Sequence, residues 1–314
     1  MMTTTLAPAT KRATAVPRTA APKASRARRT AVAWLFLAPF GLVFLVYTAI
    51  PTVAALALSL TDIRGADLRT PFAVDFTGAD NYLRLFQDDT FVRDILNTAL
   101  FVAVGVPLTM GVGFALALAL NSGISRLRGV LRTVFFVPVV TNVVAVALIW
   151  QYAFHLDGTV NKLLGAVGFA GPNWLDDPHL AMPVVILLGV WRNFGIAMVL
   201  FLAGLQAVPR DVYEAAALDG ASRWRQLRHI TLPLLLPTTL MVSVLLTVFY
   251  LQVFDEPYLL TGGGPLGSTE SVALYTYRQF GAGEFGMSSA ASFVTLALVT
   301  VVSVVQFRLL RSRT

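Results

Sequence analysis

Residues 214–237 read EAAALDGASRWRQLRHITLPLLLP. The stretch sets Glu214, Asp219, Arg223, Arg225 and Arg228 between two long apolar runs. Its opening, Glu-Ala-Ala-Ala-Leu, is strong helix-forming sequence. Asp219-Gly220 then breaks it, because glycine accepts the left-handed backbone that ends a helix. Asp211 is placed to cap this helix, with Glu214 three residues later in a variant of the capping box. Ser222 is placed to cap a second helix, in which Trp224, Leu227 and Ile230 recur at helical spacing among arginines. Pro233 and Pro237 open the next apolar run. The expected unit is a short helix, a sharp turn and a second short helix lying across a membrane surface.

The surroundings make it a membrane surface. The chain is 56% hydrophobic and 13% charged, about half the roughly 25% charge of a globular domain. Six apolar windows are long enough to cross a bilayer: 33–60, 95–121, 131–154, 182–207, 234–254 and 285–309. They are continuously apolar rather than alternating, so helices are expected and a barrel is not. The absence of cysteine removes disulfides, thiolate metal sites and cysteine nucleophiles. Three histidines far apart in sequence leave no expected metal site.

Charge sets the orientation. Seventeen of the 24 basic residues fall in the N-terminal tail, the loops at Arg126–Arg132 and Arg210–Arg228, and the C-terminal tail, all on one side of the six windows. Only Asp211, Glu214 and Asp219 share that side. Lys/Arg-rich short loops stay cytoplasmic, so both termini are expected inside. The net charge of +7 is then a topology signal, with nucleic-acid binding the weaker reading. Residues 1–30 lack apolar periodicity and are expected to be a disordered basic tail, with 31–314 forming the transmembrane domain. The first apolar run is nearly twice the length of a signal-peptide core, so an uncleaved helix is expected. Loops 61–94, 155–181 and 255–284 fall outside, the first and third long enough to pack as caps.

Taken alone, the island at 210–233 has three readings: a solvated connector, an amphipathic helix on anionic lipid, or a contact for another protein. Ala215, Ala216 and Ala217 give lipid little to hold. The pattern Glu214-Ala215-Ala216, Asp219-Gly220-Ala221, then Ile230, Leu232-Pro233 and Pro237 resembles the EAA loop of binding-protein-dependent ABC importers. The approach Ala203-Gly204-Leu205-Gln206 with Pro209 is similar too. Leu260-Thr261-Gly262-Gly263-Gly264-Pro265 with Ser268-Thr269-Glu270 resembles the outer loop of the carbohydrate-uptake branch. Leu37-Ala38-Pro39 with Tyr47 and Pro51, and Phe76-Thr77-Gly78 with Asn81-Tyr82, resemble the maltose-type first permease subunit. The resemblance covers roughly 34–310, and matches the shorter six-span members, without extra N-terminal spans or a large periplasmic insertion.

What the resemblance implies is an all-α, six-span permease fold in the bacterial inner membrane, forming half of a pore. Its partners would be a second similar permease, two cytoplasmic ATPase subunits that bind ATP and Mg, and an extracytoplasmic binding protein. The EAA loop would form a coupling helix seated in a cleft of an ATPase subunit. Glu214 would supply a charged contact, Ala215 and Ala216 close approach, and Asp219, Gly220 and Ala221 the turn. Arg223 and Trp224 would follow it into the interface, Trp224 as anchor.

No G-x-x-x-x-G-K-[ST] stretch is present, so this chain is not expected to cradle ATP itself, or to be an enzyme. Polar residues within spans often face a cavity. The pathway candidates are Asn142, Gln151, Trp191, Arg192, Asn193, Tyr250, Gln252 and Asp255, with Asn97, Thr141, Trp150 and Tyr152 beside them. Each has a plain alternative: hydrogen bonds between helices, packing, or an aromatic belt. Arg192 has no obvious in-span carboxylate partner, and Asp255 and Glu256 read as solvated at the end of the fifth window. Few charges in the spans suggest a neutral, hydroxylated substrate, a sugar or polyol; Arg192 leaves an anionic sugar or glycerol phosphate open. A secondary transporter or channel would favour inverted repeats or broken helices, which the apolar windows do not display. A scaffold that merely binds a cytoplasmic partner would leave the polar span residues idle.

Overall fold

The computed structural model describes residues 23–69, 74–122 and 127–311. Among them β pairing is confined to one bridge between Thr61 and Phe76. The chain divides into two compact units, residues 1–54 and 55–314.

The described residues of the first unit are helical. Helix α1 (Lys23–Phe44) runs through a π-helical turn (Leu45–Ala49) into α2 (Ile50–Ser59). It starts at Lys23, inside the tail expected to be disordered; residues 1–22 lie outside the described residues. Leu35, Phe36 and Phe40 are exposed. A helix satisfies its own backbone polar groups, so it crosses lipid without a protein core.

The second unit continues with α3 (Asp80–Gln87), α4 (Asp89–Ser122), α5 (Arg128–Val140), α6 (Val143–Ala153), α7 (Thr159–Ala166) and α8 (Ala181–Ala207). Then come α9 (Arg210–Leu218), α10 (Arg223–Gln226), a π turn (Leu227–Thr231), α11 (Leu232–Leu234), α12 (Leu236–Leu251), α13 (Asp255–Thr261), α14 (Val272–Gly281) and α15 (Phe285–Arg311).

Among the described residues, four helices are long and apolar enough to cross a membrane: 30–59, 89–121, 181–207 and 285–309. The other two windows belong to bent helix pairs. α5 and α6 meet at 92°, inside the window 131–154, and the segment 223–234 meets α12 at 66°, where Pro233 and Pro237 open the window 234–254. Apolar composition conceals the first bend. At the first, Thr141 is extended, and the Asn142 side chain accepts hydrogen bonds from the amides of Val144 (2.9 Å) and Ala145 (3.3 Å), starting a new helix. At the second, Pro237 has no amide to return to the Pro233 carbonyl. The expectation of one unbroken helix over 131–154 is therefore overturned, while the bend ahead of α12 falls where a surface helix is expected to give way to the fifth window.

The core lies between α4 and α8, built from Phe101, Ala117, Val185, Leu188, Met198 and Phe201, with Val242, Leu246 and Tyr250 from α12. Lipid supplies no hydrophobic drive between helices, so close backbone approach matters more. Gly113 of α4 meets Ala197 of α8 so closely that a Cβ there would collide with it. Gly105 lies under the ring of Tyr250, whose hydroxyl pairs with that of Thr109 at 2.6 Å. A second cluster, Leu85, Phe91, Val272, Tyr275, Ala290, Ala291 and Val294, joins α3, α14 and α15 to the start of α4.

Candidate functional site

α12 stops at Leu251, and residues 252–254 separate it from α13. The break opens a cavity of about 370 Å³, lined by Arg192 and Asn193 of α8, Tyr250 of α12, Gln252 and Phe254 of the break, and Asp255 and Glu256 of α13. Arg192 is eleven residues beyond Ala181, about 16 Å along a helix of about 40 Å, so the cavity sits well inside the span.

The arginine is held there by two carboxylates. Arg192 Nη1 lies 3.2 Å from Asp255 Oδ2 and 3.0 Å from Glu256 Oε1. Glu256 is buried and Asp255 half-buried. The expectation that Arg192 lacks a partner, and that Asp255 and Glu256 are merely solvated, is thus corrected. Sequence reading misses the pairing because 63 and 64 residues separate the partners.

Five of the eight pathway candidates line this cavity: Arg192, Asn193, Tyr250, Gln252 and Asp255. Three lie elsewhere. Asn142 caps α6. Gln151 donates to the carbonyls of Leu259 (2.8 Å) and Leu260 (3.1 Å), tying α6 to α13. Trp191 packs with Trp150, ring centres 6.0 Å apart. Of the neighbouring candidates, Thr141 donates to the Val137 carbonyl, Asn97 donates to loop carbonyls, and Tyr152 is exposed.

Sequence reading also passes over an aromatic group. The rings of Phe254, Tyr258 and Tyr277 stand 5.0–5.6 Å apart, with Phe254 on the cavity wall. Tyr258 and Tyr277 are exposed. The four-residue spacing of Phe254 and Tyr258 is the only local signal; Tyr277 arrives from α14.

At the other end of the helices lies the 210–233 loop. Pro209, not Asp211, holds the cap position of α9; Asp211 sits in the first turn, where its charge suits the helix dipole. The turn follows the Schellman pattern. Gly220 has φ +75°, its amide donates to the Ala217 carbonyl (3.1 Å), and the Ala221 amide donates to that of Ala216 (2.9 Å). Ser222 caps α10 through the Arg225 amide (3.4 Å). Tyr213 and Thr231 hydroxyls, 3.1 Å apart, join the two arms. Leu218 is 90% exposed and Trp224 69% exposed. Glu214, Ala215, Asp219 and Arg223 are also exposed.

The model of the family described as "Binding-protein-dependent transport system inner membrane component" matches residues 110–314. This chain belongs to that family. Among its relatives is the lactose transport system permease protein LacF of Rhizobium radiobacter, 36% identical across 89% of this chain and 94% of that protein. The trehalose/maltose transport system permease protein MalF of Thermococcus litoralis is 34% identical across 91% and 96%. In fold, the chain is similar to a bacterial ABC transporter that imports the acidic polysaccharide alginate, with TM-score 0.78, 24% identity, and 92% of this chain and 98% of that one covered. The chain is the membrane permease subunit of a binding-protein-dependent ABC importer. That membership favours ATP-driven uptake over the ion-gradient and channel alternatives, although broken helices occur in those classes too.

Proposed function

We propose that this permease forms half of the translocation pore for a sugar or related polyol, with the cavity at the α12–α13 break as the substrate's passage. The observation that carries the proposal is the cavity's lining. Asn193 and Gln252 supply amides for hydroxyl groups, and Phe254 supplies an aromatic plane for the apolar face of a sugar ring. Arg192, engaged by two carboxylates, is not left open to an anion. Relatives named for lactose and for trehalose/maltose point to the same substrate class.

The remaining parts follow the family pattern. Each bent pair counts as one span, giving six, with both termini cytoplasmic. A second similar permease completes the pore, an extracytoplasmic binding protein delivers substrate, and two ATPase subunits bind ATP and Mg. The loop from Glu214 to Trp224 docks in a cleft of an ATPase subunit, with Ala215, Ala216 and Ala221 allowing close approach and Asp219-Gly220 making the turn.

The test is binding-protein-stimulated ATP hydrolysis by the reconstituted complex. Glu214→Lys and Gly220→Pro are expected to insert normally and lose stimulated hydrolysis; wild-type hydrolysis in both would remove the coupling role. For the cavity, Gln252→Ala with Asn193→Ala is expected to slow sugar uptake at least tenfold, with assembly intact. Unchanged uptake would place the passage elsewhere.

A further inference from the structure

The aromatic group at the α12–α13 break is built as a surface rather than as core. Phe254 and Tyr258, one helical turn apart, lie nearly parallel, with ring centres 5.0 Å apart and planes at 17°. Tyr277 meets them edge-on, at 63° and 65°. Phe254 lines the polar cavity, while Tyr258 is 42% and Tyr277 50% exposed. The three rings therefore run as one strip from the cavity wall to the surface. Aromatic rings stabilise a fold by the area they bury, and these two tyrosines leave much of theirs open. Polar groups accompany them. Gln252 is exposed two residues before Phe254, Asp255 follows that ring directly, and Arg278 is exposed beside Tyr277. Ionised groups are costly on a lipid-facing wall, so this company turns the strip toward water rather than acyl chains.

The strip is also held still. Glu256 pairs with Arg192 (3.0 Å), and Gln151 donates to the carbonyls of Leu259 and Leu260, so α13 is fixed on either side of Tyr258. Ser271 donates to the Val253 carbonyl, tying the entry to α14 to the residue before Phe254. Rings already fixed lose little freedom when a ligand stacks on them. A pyranose ring carries an apolar face of C–H bonds and a rim of hydroxyls, which matches flat rings flanked by an amide and a carboxylate. We propose that Phe254, Tyr258 and Tyr277 form a stacking site for a pyranose ring at the mouth of the cavity, where a sugar rests before it enters. The choice of ligand rests on the reading of the cavity as a sugar passage. The site sharpens that reading, because it selects cyclic sugars over open-chain polyols, which have no ring face to stack.

The test is saturation-transfer NMR on the complete transporter in a detergent without a sugar headgroup, with lactose, maltose and the open-chain polyol mannitol as probes. Saturation of the protein is expected to pass to the ring C–H protons of both disaccharides, and far less to mannitol. Tyr258→Leu with Tyr277→Leu should weaken the transfer about threefold or more, the scale of one or two aromatic contacts. Tyr258→Phe with Tyr277→Phe should keep it, because the rings and not the hydroxyls make the stack. Phe280→Leu, which removes an exposed ring of α14 outside the strip, should leave it intact. If the leucine pair fails to assemble, Tyr277→Leu alone gives the readout. No transfer to either disaccharide, equal transfer to mannitol, or full transfer in the leucine variant would overturn the proposal. The last result would leave the rings as an aromatic belt facing lipid. Transfer reports this site and uptake reports the cavity, so the two readings fail separately.

Discussion

Loops 262–271 and 210–233 stand at opposite ends of α4, and they settle their polar groups in opposite ways. The first is tied to its own chain. Arg278 reaches Glu270 Oε1 (2.6 Å) and the Gly262 carbonyl (2.5 Å). Arg93 donates to the Leu266 carbonyl (3.2 Å), and Asn97 donates to the carbonyls of Gly267 (2.9 Å) and Glu270 (3.0 Å). Ser271 donates to the Val253 carbonyl on the cavity side (2.6 Å). Glu270 is 3% exposed. The 210–233 loop bonds mainly within itself and holds Leu218 and Trp224 outward. One loop is tied down mainly by its own chain; the other presents surface that another protein can cover. Substitutions in the first should therefore act on stability, and in the second on assembly.

The largest stability effect is expected at Glu270. Glu270→Ala strips a buried carboxylate from two arginines that are about half exposed. The loss should be on the order of 2–4 kcal/mol, below the full cost for a wholly buried pair, seen as a lowered melting temperature of the purified chain. Next comes Asn97→Ala, which leaves two loop carbonyls without their donor. About 1–3 kcal/mol is expected, measured the same way, with faster proteolysis of loop 262–271.

Gly220→Ala should cost about 1 kcal/mol, the penalty of a side chain in the left-handed region, since nothing crowds a Cβ there. Its effect on stimulated ATP hydrolysis should exceed its effect on melting. Smallest in stability is Trp224→Ser, expected within about 0.5 kcal/mol for an exposed position, yet it should weaken co-purification of the ATPase subunits. If Trp224→Ser melts the isolated chain as strongly as Glu270→Ala, the contrast between the two loops is wrong.

Much of the architecture was legible before any coordinates. The 210–233 turn follows from Gly220 and Ser222, because caps and left-handed residues are local. The apolar windows locate the long helices, because burial of backbone polar groups in lipid leaves few other solutions. The break in the third window was not legible. Thr141-Asn142 is a short interruption, and an average over twenty residues hides it.

The candidate site divides along the same line. Arg192, Asn193, Gln252 and Asp255 stand out in sequence as polar groups in or beside apolar runs. Their convergence does not, nor does the aromatic group that Tyr277 completes from α14. The sequence by itself determined where helices form, which side is basic, and how the 210–233 loop turns, all consequences of neighbours within a few residues and of transfer into lipid. Tertiary structure alone decided that α8 and α13 meet, that Arg192 is neutralised by Asp255 and Glu256, and that a cavity opens between them. A buried charge must find its counterpart in space, and the chain's order carries no record of which distant segment provides it.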